Sequence, residues 1–141
     1  MESFESYIEK FVTNAENVTY EKAATFAEIR RANDFFLREN ELSDILAEKF
    51  SDRISDIAIY LESEKARVRR SVAYLLLGKM KPSREITERA IRVLEEYACK
   101  ARGDETLNAR GFLLAFTKDH NYETTAANDI SLTSSLKKKY L

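Results

Sequence analysis

Residues 57–80 read IAIYLESEKARVRRSVAYLLLGKM, and their spacing decides the fold. Ile57 and Leu61 close one helix, Glu62 to Lys65 supply a four-residue turn, and Val68, Val72, Ala73, Leu75 and Leu76 recur at the intervals of a single inward helix face. Gly78 and Pro82 mark where that second helix stops.

The same period extends in both directions. Upstream, Ser3 caps a helix over about residues 4–16 whose apolar stripe is Phe4, Tyr7, Ile8, Phe11, Val12 and Ala15. Asn17 ends it and Thr19 caps the next helix. In that second helix Ala23, Phe26, Ala27 and Leu37 share a face while Ala32, Phe35 and Phe36 widen it, so it is expected to be buried between neighbours. Glu41 to Leu61 reads as one long helix or as two meeting near Ser51 and Asp52; in either case Leu42, Leu46, Phe50, Ile54, Ile57 and Leu61 point one way. Downstream, Ser83 caps a helix with Ile86, Ala90, Val93, Leu94 and Tyr97 at core spacing, and Gly103 ends it. Asp104 then caps a helix carrying Leu107, Gly111, Leu114 and Ala115, Asn121 to Asn128 is polar loop, and Ile130 to Leu141 form a short terminal helix through Leu132, Leu136 and Tyr140.

Composition agrees with this helical reading. Three Gly and one Pro in 141 residues fall far below the average usage of about 7% and about 5%, which removes the turns a sandwich or barrel needs. The expected fold is all-α, a single domain of about six or seven helices, with residues 1–120 as its body and 121–141 as a loop and terminal helix of the same domain.

The 57–80 stretch resembles a HEAT-type helical hairpin, in which the second helix opens on a Val-Arg pair, here Val68-Arg69, followed by small and aliphatic core residues at Val72, Ala73 and Leu76. It departs from that pattern in the turn, where Ser63, Glu64 and Lys65 stand in place of the usual Asp and Pro. Asp104 to Phe116, preceded by Ile86 to Tyr97, resembles a second and weaker copy. The resemblance implies a right-handed HEAT-like α-α superhelix of the small bacterial type, some members of which are immunity proteins that neutralise secreted toxins. It also implies that Arg69 ties down the adjoining turn, with Glu62 or Glu64 as its acidic partner.

Little in the sequence carries chemistry. Cys99 is the only cysteine and His120 the only histidine, so neither a disulfide nor a metal site of several ligands is expected, and no cofactor motif is present. Cys99 reads as a small core residue and His120 as a cap on helix carbonyls. No nucleophile is paired with a base, which argues against an enzyme. The first ten residues, MESFESYIEK, bear acids where a secretory signal bears bases, and no apolar run approaches the ~18 residues of a membrane span, so a cytoplasmic protein with no membrane contact is expected. Most of the seven Tyr and eight Phe sit at core spacing; Tyr20, Tyr60 and Tyr74 are candidate surface anchors.

Charge is distributed unevenly. Residues 1–66 hold 15 acids and 8 bases, net −7, and residues 67–141 hold 9 and 15, net +6. On a helical wheel Glu41, Asp44, Glu48, Asp52 and Asp56 fall in a stripe opposite the apolar side and, with Asp34 and Glu39 nearby, give an acidic surface for a basic protein partner. A helix break near Ser51 would divide the stripe and separate Asp52 and Asp56 first. Expected function follows: an immunity or inhibitor protein that occludes the basic cleft of a toxin, a nuclease above all. The alternative is nucleic-acid binding through Arg67, Arg69, Arg70, Arg84, Arg89, Arg92 and Lys137 to Lys139, which the acidic first half opposes.

Overall fold

Ser3 begins the first helix as the sequence requires: its side chain accepts the Ser6 amide at 3.2 Å, and α1 runs Phe4–Ala15. The computed structural model describes residues 2–100 and 103–128, and every regular element among them is helical. They comprise α1, α2 (Phe26–Lys49), α3 (Ile54–Ala58) with a 3-10 extension Ile59–Glu62, α4 (Ala66–Lys79), α5 (Arg84–Lys100), α6 (Asp104–His120) and a 3-10 turn Thr125–Asn128. The expected terminal helix over Ile130 to Leu141, with Lys137 to Lys139, lies outside the described residues. The chain falls into two compact units, Met1–Val93 and Leu94–Leu141.

In the first unit α1 packs on α2, and α4 packs on both. Phe4, Ile8, Phe11 and Ala15 of α1 meet a core that includes Leu42 and Leu46 of α2, Ile57 and Leu61, and Val68, Val72, Leu75 and Leu76 of α4, all buried. α4 therefore has the inward face that its spacing requires, while the helix expected to close on Ile57 and Leu61 is reduced to the five residues of α3 and the 3-10 extension that carries Leu61. Ser83 caps α5, accepting the Ile86 amide at 3.3 Å.

Residues 19–49 differ from the sequence expectation. Thr19 caps no helix; the cap is Thr25, whose hydroxyl accepts the Glu28 amide while the Glu28 carboxylate accepts the Thr25 amide. From there α2 runs 24 residues without a break, joining the expected second helix to residues 41–49. It stops at Phe50, whose ring packs edge-on against Phe4 with centroids 5.5 Å apart, and Ser51 and Asp52 form the turn before α3. The expected burial of the second helix is overturned in its N-terminal half: Phe26 is 91% exposed, Leu37 59% and Ile29 39%. Ala32 is buried there, and Asn14 of α1 donates to the Phe35 carbonyl at 3.0 Å, so only the opposite side of α2 faces the core.

In the second unit, α6 begins after Gly103, whose φ of 69° suits a residue without a Cβ, and ends on Asn121 in the left-handed conformation. Its buried face also departs from expectation. Ala109, Leu113 and Thr117 are buried, whereas Leu107 and Leu114 are 58% and 42% exposed and Gly111 and Ala115 are exposed. Thr117 satisfies its buried hydroxyl by donating to the Leu113 carbonyl at 2.6 Å. Glu95 accepts from the hydroxyls of Thr124 and Thr125, fixing the start of the last 3-10 turn. Cys99 is exposed, not a core residue; the buried position beside it is Ala98.

Candidate functional site

The acidic stripe exists in part. Glu41, Asp44 and Glu48 lie on α2, spaced three and four residues apart, and all three are exposed. Glu41 and Glu48 make no ion pair among the described residues, while Asp44 accepts from Lys79 of α4. Asp52 sits exposed in the turn after α2, and Asp56 is on α3, bound by Arg53 at 2.6 Å. The break at Phe50 thus leaves three acids on one face and sets the other two apart.

Asp56 belongs instead to an open cleft of about 470 Å³ between α1 and α3, with Phe4, Ile8, Val12 and Ile59 in its walls and Glu9 on its rim. Arg53 crosses the cleft edge, stacked 4.2 Å over the Phe4 ring and reaching both Asp56 and Glu5. Its hydrogen bond to Asp56 raises its pKa above the ordinary arginine value, with Glu5 adding a smaller effect.

The continuous α2 joins the acids to residues that the sequence reading had assigned to the interior. Five helical turns separate Phe26 from Asp44, so the two return to the same angle, and Arg30, Asn33 and Leu37 fill the stripe between them. Phe26, Arg30, Leu37, Glu41, Asp44 and Glu48 therefore form one outward ribbon, apolar in its first half and acidic in its second. The signal was present in the sequence: over the whole span, Phe26 and Leu37 lie opposite Leu42 and Leu46 once a single helix is recognised.

The basic residues do different work. Arg67 donates to the Glu16 carbonyl at 3.2 Å and to Glu21 at 3.0 Å, and Arg70, 4% exposed, donates to the Val18 carbonyl at 2.6 Å. Two α4 arginines thus fasten the α1–α2 connection, whose Val18 is buried. Arg69 does hold its own turn, but through the Ser63 carbonyl and not through Glu62 or Glu64. Glu62 instead meets Arg89 at 3.5 Å, and Arg84 and Arg92 both approach Glu88.

One acid lies close to Arg70. Glu39 of α2, expected on the acidic surface beside the stripe, is instead largely buried, and one of its carboxylate oxygens has no hydrogen-bond partner. Burial raises its pKa above the usual carboxylate range, while the Ser71 hydrogen bond and the nearby Arg70 charge act in the opposite sense.

His120 stacks on Phe116 with ring centroids 4.1 Å apart, and its Nδ1 is 2.9 Å from the Phe116 carbonyl, which requires the proton on Nδ1. Among the candidate anchors, Tyr20 is 43% exposed but stacks on Phe36 and bonds Asn33; Tyr60 and Tyr74 are half-buried. No group of three or more His, Cys, Asp or Glu among the described residues is placed to hold a metal ion, and no helix among them is long and apolar enough to cross a membrane. Comparison with family models, curated proteins and solved structures finds no significant match to this chain.

Proposed function

We propose that this chain is a HEAT-like helical array acting as a cytoplasmic binding protein of the immunity type, which occludes the basic cleft of a toxin, most naturally a nuclease, stoichiometrically and without catalysis. The observation that carries this reading is the outward ribbon of α2. An aromatic and an aliphatic side chain, Phe26 and Leu37, stand exposed beside the acids Glu41, Asp44 and Glu48. Protein interfaces are built that way, with apolar anchors for affinity and flanking charge for orientation and rate. A nuclease cleft is basic because it holds phosphate, so an acidic helix competes with its substrate. Asp52 and Asp56 lie off the ribbon and would act as long-range charge only.

Nucleic-acid binding receives less support. Arg67, Arg69, Arg70, Arg84, Arg89 and Arg92 each have an acceptor within the protein, so a phosphate would have to displace an existing contact.

The test is co-expression with the product of the adjacent gene, followed by measurement of complex stoichiometry and of any nuclease activity. A one-to-one complex that silences the activity, forming more slowly as salt is raised, is expected. Absence of a complex, or binding of low-salt duplex DNA in its place, would overturn the reading.

A further inference from the structure

Charge along the α2 ribbon is not only acidic. Arg30 lies between Phe26 and Leu37, exposed and without an ion pair among the described residues, and Asp44 lies as far beyond Leu37 as Arg30 lies before it. About Leu37, which is 59% exposed, Arg30 and Asp44 are therefore mirror positions of opposite charge, while Glu41 and Glu48 mirror the uncharged Asn33 and Phe26. Turned end over end, it presents a cation where its own copy presents acids.

We propose that, in the free protein, this ribbon pairs with the same ribbon of a second copy, antiparallel about a two-fold axis at Leu37. The two Leu37 side chains meet on the axis. Arg30 of each copy faces Glu41 and Asp44 of the other, and each Phe26 lies against the aliphatic stems at Ala47 and Glu48. A two-fold contact of this kind uses one patch twice, so every favourable pair off the axis occurs in duplicate. It also removes from water the apolar side chains that the monomer leaves exposed. A single helix pair is at the low end of interface size, so dissociation constants on the order of 10–100 μM are expected. Self-pairing covers the surface assigned above to the basic partner, and that partner must displace the second copy. The test uses the protein alone, so failure of the dimer leaves the partner reading standing, and the reverse holds.

Sedimentation equilibrium between about 1 μM and about 1 mM, spanning the expected constants, measures the pairing, with circular dichroism melts confirming that each variant folds. The wild type should approach twice the monomer mass at the upper end. Leu37→Asp sets two like charges on the axis and should abolish the dimer. Arg30→Asp and Asp44→Arg should each weaken it at least ~10-fold, and the double reversal should return it to within ~3-fold of wild type, because coupled charges restore each other only when they face. If loss of the Lys79 contact lowers the melting temperature of Asp44→Arg, the wild-type mass and Leu37→Asp decide the test without it. A wild type monomeric throughout, a dimer that survives Leu37→Asp, or a double reversal no tighter than the singles overturns the proposal.

Discussion

Helices α2 and α4 have contrasting relations between residue type and place. In α4, Val68, Val72, Leu75 and Leu76 are sealed inside, and even Arg70 is buried, its guanidinium spent on the Val18 carbonyl. In α2 the first half turns Phe26, Ile29 and Leu37 to solvent, although its composition is no less apolar. Periodicity tells which residues share a side of a helix. Whether a neighbour exists to cover that side depends on where the other helices go, and α1 and α4 both lie against the side of α2 that holds Leu42 and Leu46. Basic side chains are consumed by the fold on α4, while apolar ones are left over on α2.

The largest effect that would break this contrast is on the core side. Leu76→Ala in α4 should cost about 2–5 kcal/mol of stability by leaving a cavity, measured by denaturant melts. Leu37→Ala in α2 should cost under ~0.5 kcal/mol at its exposed position. Equal losses would mean that the two leucines are equally buried in solution. Next in size is Arg70→Met, expected to cost about 1–3 kcal/mol because the buried Val18 carbonyl loses its donor. That variant should also loosen the α1–α2 connection, read as faster amide exchange over residues 17–24 than in wild type.

These contacts show where sequence reading stopped. Ser3, Ser83 and the α4 core were legible because a cap or a helix face is written within a few residues. The Thr25 cap was legible too: Thr-Phe-Ala-Glu at 25–28 is a capping-box pattern, and only the earlier Thr19 competed with it. The partners of Arg67 and Arg70 were not, since Glu16, Val18 and Glu21 lie some fifty residues away in the chain and nothing local names them. In α6 the period itself was ambiguous, with Phe112, Leu113, Leu114, Ala115 and Phe116 running apolar around the helix, so the choice of Leu107 and Leu114 over Ala109 and Leu113 had no local arbiter. The acids of the ribbon were placed correctly on the surface, whereas their apolar neighbours were missed because the helix was read in two pieces.

A smaller effect sharpens the contrast from the buried side of α2. Glu39 has its pKa raised in the folded protein, chiefly by burial, so it favours folding most where it is protonated. Its contribution is complete below the unfolded value and is lost as pH rises through the higher folded value. Glu39→Gln keeps the shape and removes the ionisation. The melting temperature of wild type should therefore fall relative to Glu39→Gln as pH is raised from about 4 to about 7. The opposite trend would mean that the Arg70 charge outweighs burial at this site.

The smallest expected effect on stability belongs to the outward acids, and there stability and association should part company. Asp44→Lys with Glu48→Lys reverses two exposed charges, one held only by Lys79 at the surface, so the melt should shift by no more than about 0.5 kcal/mol. For a basic partner the same change replaces attraction by repulsion, and association should slow by an order of magnitude or more at low salt and converge with wild type as salt screens the field. Reversing Arg67 with Arg84 gives the matched control. Those arginines are tied to Glu16, Glu21 and Glu88, so their reversal should disturb the fold more and the partner less. If the arginine pair instead governs association and the acidic pair leaves it unchanged, the functional surface lies on the α4–α5 side, and the exposed ribbon of α2 has no part in binding that partner.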